Sequence, residues 1–308
     1  MIAFSDDAKA ALVLTTRLGD AKRPSLTPKA WHALVEALRL AGGSPGAVFV
    51  GQEGLGEDQR HRIDELLGGS ARVMLDLEEQ LGKGIWVLTE FDDGYPARFS
   101  CLGDSKPPVI FGVGNRSLLN AGGVAIVGSR DVDEPGSEVA RALAEESVRL
   151  GKPVISGAAR GVDQLAMNAA FIAGGSVIGV LADALDRKLR AGEMLHALDR
   201  DSVCLITQQH PSAGFSAASA YSRNKLVYVL ADMTIVVASA EDEGGTWKGA
   251  EEALRLKLPV AVWRGDGQGS GNERLEAMGA RPLKAVTNLA DVLGRSAHRP
   301  EPEQLKIL

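Results

Sequence analysis

The chain has 308 residues, of which 45% are hydrophobic, 24% charged and 5% aromatic, and its formal net charge is −6. This length suits one large α/β unit plus a smaller one, and the composition is that of an ordinary globular protein rather than a collagenous or broadly disordered chain. The acidic balance excludes a surface coated in positive charge, and the scarcity of aromatics excludes an extended stacking platform while leaving room for one or two stacked bases.

Residues 1–83 read as a small helical domain. Thr27 before Pro28 is an N-cap and first-turn pair, followed at helical spacing by Ala30, Trp31, Leu34 and Leu38. Ile63, Leu66 and Leu67, then Val73, Leu77 and Leu81, continue the pattern between glycine-rich breaks at 42–46 and 68–70. Such a module can dock a partner, but its plainer role is a lid on the main domain.

Residues 84–294 carry the main domain. The run 84–89, a turn at 92–96 and the run 107–111 predict strand, turn and strand. From Gly122 onward strands at 124–127, 154–155, 177–181, 203–206, 235–237 and 260–262 alternate with helices, including 137–150, 165–173, 248–256 and a closing 283–293 with Asn288 capping a final turn. This alternation predicts a Rossmann-like α/β fold, a doubly wound and mostly parallel sheet. The tail 295–308, with Pro300 and Pro302, is too poor in apolar residues to be a domain, though Leu305, Ile307 and Leu308 can dock on the body.

Two turns define the candidate site. Val124-Ala125-Ile126-Val127 opens into Gly128-Ser129-Arg130, and Val154-Ile155 opens into Ser156-Gly157-Ala158-Ala159-Arg160-Gly161-Val162-Asp163. Gly128 and Gly157 lie 29 positions apart, close to one strand-helix-strand unit, so both turns are expected at one carboxyl edge with their arginines facing one crevice. Glycine lets backbone N–H groups approach a ligand, helix N-termini are partially positive and guanidinium forks grip phosphate, so the crevice is suited to a phosphorylated ligand. Alternatively, the two arginines cap helices or pair with Asp163 or a glutamate, and Asp163 serves as a helix cap.

Arg223-Asn224-Lys225 is read as the opening of a helix with Leu226, Val229 and Leu230 on its apolar face, either contacting ligand or simply solvated. Gly244, Gly245 and Thr246 precede another predicted helix, with Lys248 adding charge and Trp247 able to stack a base if exposed; the alternative is a tight turn with Trp247 buried.

The sequence gives no sign of a catalytic centre. His32, His61, His196, His210 and His298 lack metal-ligand spacing, and Gly128-Ser129-Arg130 is not a dinucleotide fingerprint. No nucleophile elbow, phosphate-loop lysine motif or zincin helix occurs, and the paired carboxylates Glu145-Glu146 and Glu251-Glu252 diverge on helices. No catalytic residue, metal or cofactor is expected. Cys101 and Cys204 lack C-x-x-C spacing and read as reduced core thiols. The start Met1-Ile2-Ala3-Phe4-Ser5-Asp6-Asp7 lacks the features of a signal peptide and no apolar stretch reaches membrane-span length, so a cytoplasmic protein with no membrane partner is expected.

The chain resembles the DprA/Smf family of bacterial DNA-processing proteins. The matching stretches are Gly84-Ile85 through Tyr95-Pro96, Pro107 through Gly112, Val124 through Arg130, Ser156 through Asp163 and Ser222-Arg223-Asn224-Lys225, in the family's order over roughly 80–265. The resemblance implies a Rossmann-like core, a helical N-terminal domain, a homodimer, binding of single-stranded DNA and help in loading a RecA-type recombinase. It puts Arg130, Arg160, Arg223 and Asn224 around a pocket for the DNA backbone, with Ser129, Ser156 and Gly157 as hydroxyl or backbone donors.

The sequence departs from the family in four places. Lys225 stands where the family usually has a second arginine, Met167 where it usually has a histidine, and Asp186-Arg187-Lys188-Leu189-Arg190 where it has an aromatic segment. The winged helix that ends many members is not found, which reads as a divergent or shortened member.

The resulting expectation is a non-enzymatic single-stranded DNA-binding protein that captures phosphates at Arg130, Arg160, Arg223 and Lys225. With three or four phosphates neutralised, log affinity would fall against log salt with a slope of about −2 to −3. The rival is a nucleotide-binding sensor, for instance in phage defence, or a phosphoribohydrolase like the lonely-guy enzymes of the same fold type. Those carry a glutamate three positions after the motif threonine, whereas Glu251 follows Thr246 by five, which argues against hydrolysis. An interaction scaffold with a vestigial pocket is the third reading.

Overall fold

The computed structural model describes residues 4–189 and 201–294. Arg190, His196, His298 and the tail with Pro300, Pro302, Leu305, Ile307 and Leu308 lie outside the described residues, as do Met1, Ile2 and Ala3.

Four helices open the chain. α1 (Asp6–Thr15) starts where the Ser5 hydroxyl accepts the Ala8 N–H at 3.1 Å, and α2 (Pro28–Leu40) where Thr27 accepts that of Ala30 at 3.3 Å. α3 (Glu57–Leu67) and α4 (Ser70–Gly82) follow. Trp31, Leu34, Leu38, Ile63, Leu66, Val73 and Leu77, the periodic apolar residues, are all buried. They pack in one cluster with Val87, Phe111, Val113 and Leu205 of the sheet described next, so the helical unit shares a core with it.

The sheet has nine strands: β1 (Trp86–Thr89), β2 (Val109–Gly114), β3 (Val124–Val127), β4 (Val154–Ser156), β5 (Val177–Val180), β6 (Val203–Thr207), β7 (Met233–Val236), β8 (Val260–Trp263) and β9 (Arg281–Leu283). Their order is β1-β2-β6-β5-β4-β3-β7-β8-β9. β1, β2 and β6 pair antiparallel, and the seven strands from β6 to β9 run parallel. Every residue of β3, β4, β5, β7 and β8 is buried, because helices cover both faces of the sheet, which explains the unbroken apolar runs.

After β3 the chain crosses through α5 (Glu134–Arg149) to β4, then through α6 (Val162–Ile172) to β5, and the short α7 (Leu185–Leu189) precedes β6. α8 (Ala217–Leu230) then carries it back to β7 on the other side of β3, and α9 (Gly244–Arg255) leads to β8. The strand order thus reverses between β3 and β7, where their carboxyl ends part and a crevice opens. α10 (Asn272–Ala277) and α11 (Leu289–Gly294) finish the described chain.

Two element boundaries differ from the sequence reading. The expected helix 283–293 is only α11, and its first residue, Leu283, ends the edge strand β9, where Trp263 pairs with Leu283. A three-residue strand with one buried side chain carries no alternating signal, and Pro282 removes a ladder donor that an edge strand can spare. α8 starts at Ala217 rather than near Arg223, because Ser216 and Ser219 form a reciprocal cap there and the small residues that follow are weakly patterned. Cys101 is exposed rather than buried; the turns that carry it bury Phe99 and Leu102 instead. No helix among the described residues is long and apolar enough to cross a membrane.

A polar clamp joins α2 to the sheet side. The buried Glu90 accepts Trp31 Nε1 at 2.6 Å and Lys106 Nζ at 2.5 Å, with His32 Nε2 at 3.4 Å. Burial alone would raise its pKa, but the bonds from His32, Lys106 and Trp31 and the Lys106 charge outweigh this and draw it from 4.5 to about 2. A carboxyl with a depressed folded pKa contributes stability above its unfolded value and loses it on acidification. The Glu90 contribution should therefore vanish between pH 4.5 and about 2. Urea unfolding across that window should show Glu90→Gln about 2 kcal/mol less stable at neutral pH and converging on the parent in acid; parallel curves would exclude the clamp.

Candidate phosphate-binding cleft

A cleft of about 880 Å³ occupies the switch point. Gly128, Ser129 and Arg130 from the β3 turn form one wall, and Gly157 and Ala159 from the β4 turn form its base. Opposite them, α8 presents Ala217, Ala220, Tyr221 and Asn224, a stripe at i, i+3, i+4 and i+7. Glu243, Gly244, Gly245, Thr246 and Lys248 at the start of α9 close it.

A buried ion pair frames the cleft. Asp163, in the first turn of α6, accepts the Gly157 N–H at 3.1 Å and also the backbone N–H groups of Ala159 and Gly128, so one carboxylate ties together the β3 and β4 turns. Burial pushes its pKa up, and the Arg223 charge and these N–H donors oppose that push. Arg223, 4% exposed, donates Nη1 to the Gly157 and Val180 carbonyls and Nε to Asn224 Oδ1. Asn224 Nδ2 donates to the Gly245 carbonyl at 3.0 Å, and Thr246 Oγ1 to that of Gly128 at 3.0 Å. Gly157 must be glycine, since a Cβ there would run into the Arg223 guanidinium and lie 2.7 Å from Asp163 Oδ2.

The guanidinium of Arg130 lies over the Phe215 ring, 5.5 Å from its centroid, and has no carboxylate partner among the described residues. Burial pushes the Arg223 guanidinium below its ordinary pKa; Asp163 draws it back up, and the nearby Arg130 charge adds to the lowering. An anion entering between the two arginines would relieve that repulsion. Lys248, exposed on the cleft wall, likewise has no ion pair among the described residues. The N-terminus of α9 lacks a side-chain cap, leaving backbone donors at Gly244 and Gly245 for a ligand.

Several expected contacts lie elsewhere. Arg160 is exposed outside the cleft lining, with Nη2 on Asp131 Oδ1 at 2.6 Å. Lys225 also lies off the cleft lining, with Nζ 3.0 Å from Glu252 Oε1 and above the Tyr221 ring. Residues two apart on a helix do not share a face, so Arg223 and Lys225 never both point into one crevice. Ser156 is fully buried and donates to the Ile126 carbonyl at 2.7 Å. Trp247, 4% exposed, is a core residue and stacks no base. The sequence reading missed Phe215, 56% exposed, and Tyr221, 40% exposed, both at the rim. The stripe on α8 would have revealed Tyr221 had the helix been started at Ala217. Glu251 does not line the cleft, and among the described residues no three His, Cys, Asp or Glu side chains are grouped to hold a metal.

Fold and cleft together define a Rossmann-like α/β protein whose switch-point cleft is lined by Arg130, Lys248 and the start of α9. The family model for DNA recombination-mediator protein A matches residues 86–294. The chain belongs to that family. It is 28% identical over 250 residues to the DNA processing protein DprA of Bacillus subtilis, covering 79% of this chain and 82% of that one. It is 30% identical over 210 residues to DprA of Streptococcus pneumoniae, covering 66% and 71%. The X-ray structure of the pneumococcal protein superposes with a TM-score of 0.62 at 23% identity, over 86% of this chain and 98% of that one. A structure of DNA processing protein A from Helicobacter pylori, described for its single-stranded DNA binding mode, superposes at 0.57 with 24% identity, over 70% and 97%.

Proposed function

We propose that the protein binds single-stranded DNA without catalysing a reaction, holding the strand in the switch-point cleft and presenting it, as a homodimer, to a RecA-type recombinase. The observation that carries this reading is Arg130, unneutralised and seated on an exposed aromatic ring beside an uncapped helix N-terminus. Guanidinium and backbone donors suit phosphate, while Phe215 and Tyr221 offer ring faces to unpaired bases, which a duplex does not present. The Helicobacter pylori relative, described as binding single-stranded DNA, supports the same substrate class. The helical unit 1–83, the core 84–294 and the tail 295–308 serve as working divisions.

Two cleft cations without a carboxylate partner among the described residues, Arg130 and Lys248, replace the three or four expected from sequence, because Arg223, the third cation on the lining, is buried beside Asp163. The salt dependence of single-strand binding should accordingly have a slope of about −1 to −2 per site. In a gel-shift competition, unlabelled single strand should displace the probe, with duplex and nucleoside monophosphate far weaker. Equal competition by monophosphate would shift the assignment to the nucleotide-sensor reading, and equal competition by duplex would remove the single-strand preference.

A further inference from the structure

The loop 208–216 runs from β6 to α8 and carries Phe215, the ring beneath Arg130. At its start Gln209 N–H donates to Thr207 Oγ1 at 3.1 Å and Gln208 Nε2 to Ser222 Oγ at 2.8 Å; at its end Ser216 caps α8. Between these ends the loop is tied to α7, where the Asp186 N–H donates to the Pro211 carbonyl at 3.2 Å, and to the helical unit. His210 Nε2 lies 2.9 Å from Asp76 Oδ2 on α4, 134 positions away in sequence. His210 Nδ1 accepts the Ser212 N–H at 3.0 Å, so in the neutral ring Nε2 carries the proton and donates to Asp76. Asp76 is itself oriented by the Gly19 N–H at 2.7 Å and Gln80 Nε2 at 2.6 Å, and Ser212 Oγ donates to Asp186 at 2.9 Å.

We infer that Asp76 and His210 are positioning residues for phosphate capture: by fixing the loop from α4 they hold Phe215 where it seats Arg130. The inference rests on the cleft being the DNA site. With the tie to α4 gone, the loop keeps the bonds of Pro211 and Ser212 to Asp186, but Phe215, beyond them, samples positions from which the guanidinium has no ring beneath it. Each unseated arrangement removes an aligned cation from the strand. The helical unit thereby becomes part of the binding apparatus.

The test uses the full chain and a single-stranded oligonucleotide. His210→Ala should weaken binding about threefold to fivefold. Its salt slope should also become shallower, moving toward that of Arg130→Ala, a change that a loss of fold stability alone does not produce. His210→Gln, which keeps a donor toward Asp76, should recover most of the affinity. In a Phe215→Ala background the further loss from His210→Ala should fall below about twofold. Unchanged affinity in His210→Ala, or its full effect persisting without Phe215, overturns the inference. Phe215→Ala, at an exposed site, covers the case in which His210→Ala unfolds, since unaltered binding there overturns it equally. Should Arg130→Ala bind like the parent, it is the DNA reading of the cleft that fails.

Discussion

Arg223→Ala should destabilise the protein by about 3–5 kcal/mol, measured by urea unfolding at neutral pH. Its guanidinium is almost fully buried, and truncation leaves the Gly157 and Val180 carbonyls and Asn224 Oδ1 without their donor and Asp163 without its countercharge. The cost comes from the orphaned groups, because a buried pair contributes little beyond its own desolvation. The double variant Asp163→Leu/Arg223→Met should accordingly be more stable than Arg223→Ala alone. The pH dependence follows in sign. With Arg223 gone, burial pushes the Asp163 carboxyl up with less opposition, so the folded state holds its proton more tightly than the unfolded chain. The Asp163 contribution is then greatest at low pH and falls as pH rises, so the deficit of Arg223→Ala should shrink on acidification. A deficit below about 1 kcal/mol at neutral pH would mean that the pair does not hold the cleft together.

What the sequence made legible follows from local physics. The β3 and β4 turns were legible because parallel strands buried on both faces leave continuous apolar runs that break at glycine, and 29 positions between Gly128 and Gly157 allow one crossover. The start of α2 was legible because Thr27 and Pro28 carry cap chemistry in two adjacent residues. Facing and partnership were not. Asp131 takes Arg160 from another loop and Glu252 takes Lys225 from another helix, pairings set by tertiary geometry that leave no mark within either segment. Asp163, weighed as a helix cap, instead receives N–H groups from the β3 and β4 turns, a role that requires both strand ends to be placed first. Met167, where the family resemblance implied a histidine, is half-buried and would lie 2.9 Å from a Cβ on Gly179, a packing role.

Arg130→Ala should lower single-stranded DNA affinity about tenfold to a hundredfold, the worth of a charge-assisted phosphate contact. Its salt slope should become shallower by about 0.7, one phosphate's share on a single strand. Stability should barely change, because Arg130 has no ion pair among the described residues and its one recorded ring contact is with an exposed Phe215. Arg130→Lys should recover the slope but not all of the affinity, since an ammonium keeps the charge without the planar fork that both stacks on a ring and grips two oxygens. Arg160→Ala and Lys225→Ala are the discriminating controls. Each removes a cation already paired with a carboxylate and lying off the cleft lining, so each should change affinity by less than about threefold. If Arg160→Ala instead weakened binding as much as Arg130→Ala, the strand would have to run past Asp131 on the cleft lining and out onto the exposed Arg160, and the path proposed along the switch point would be wrong.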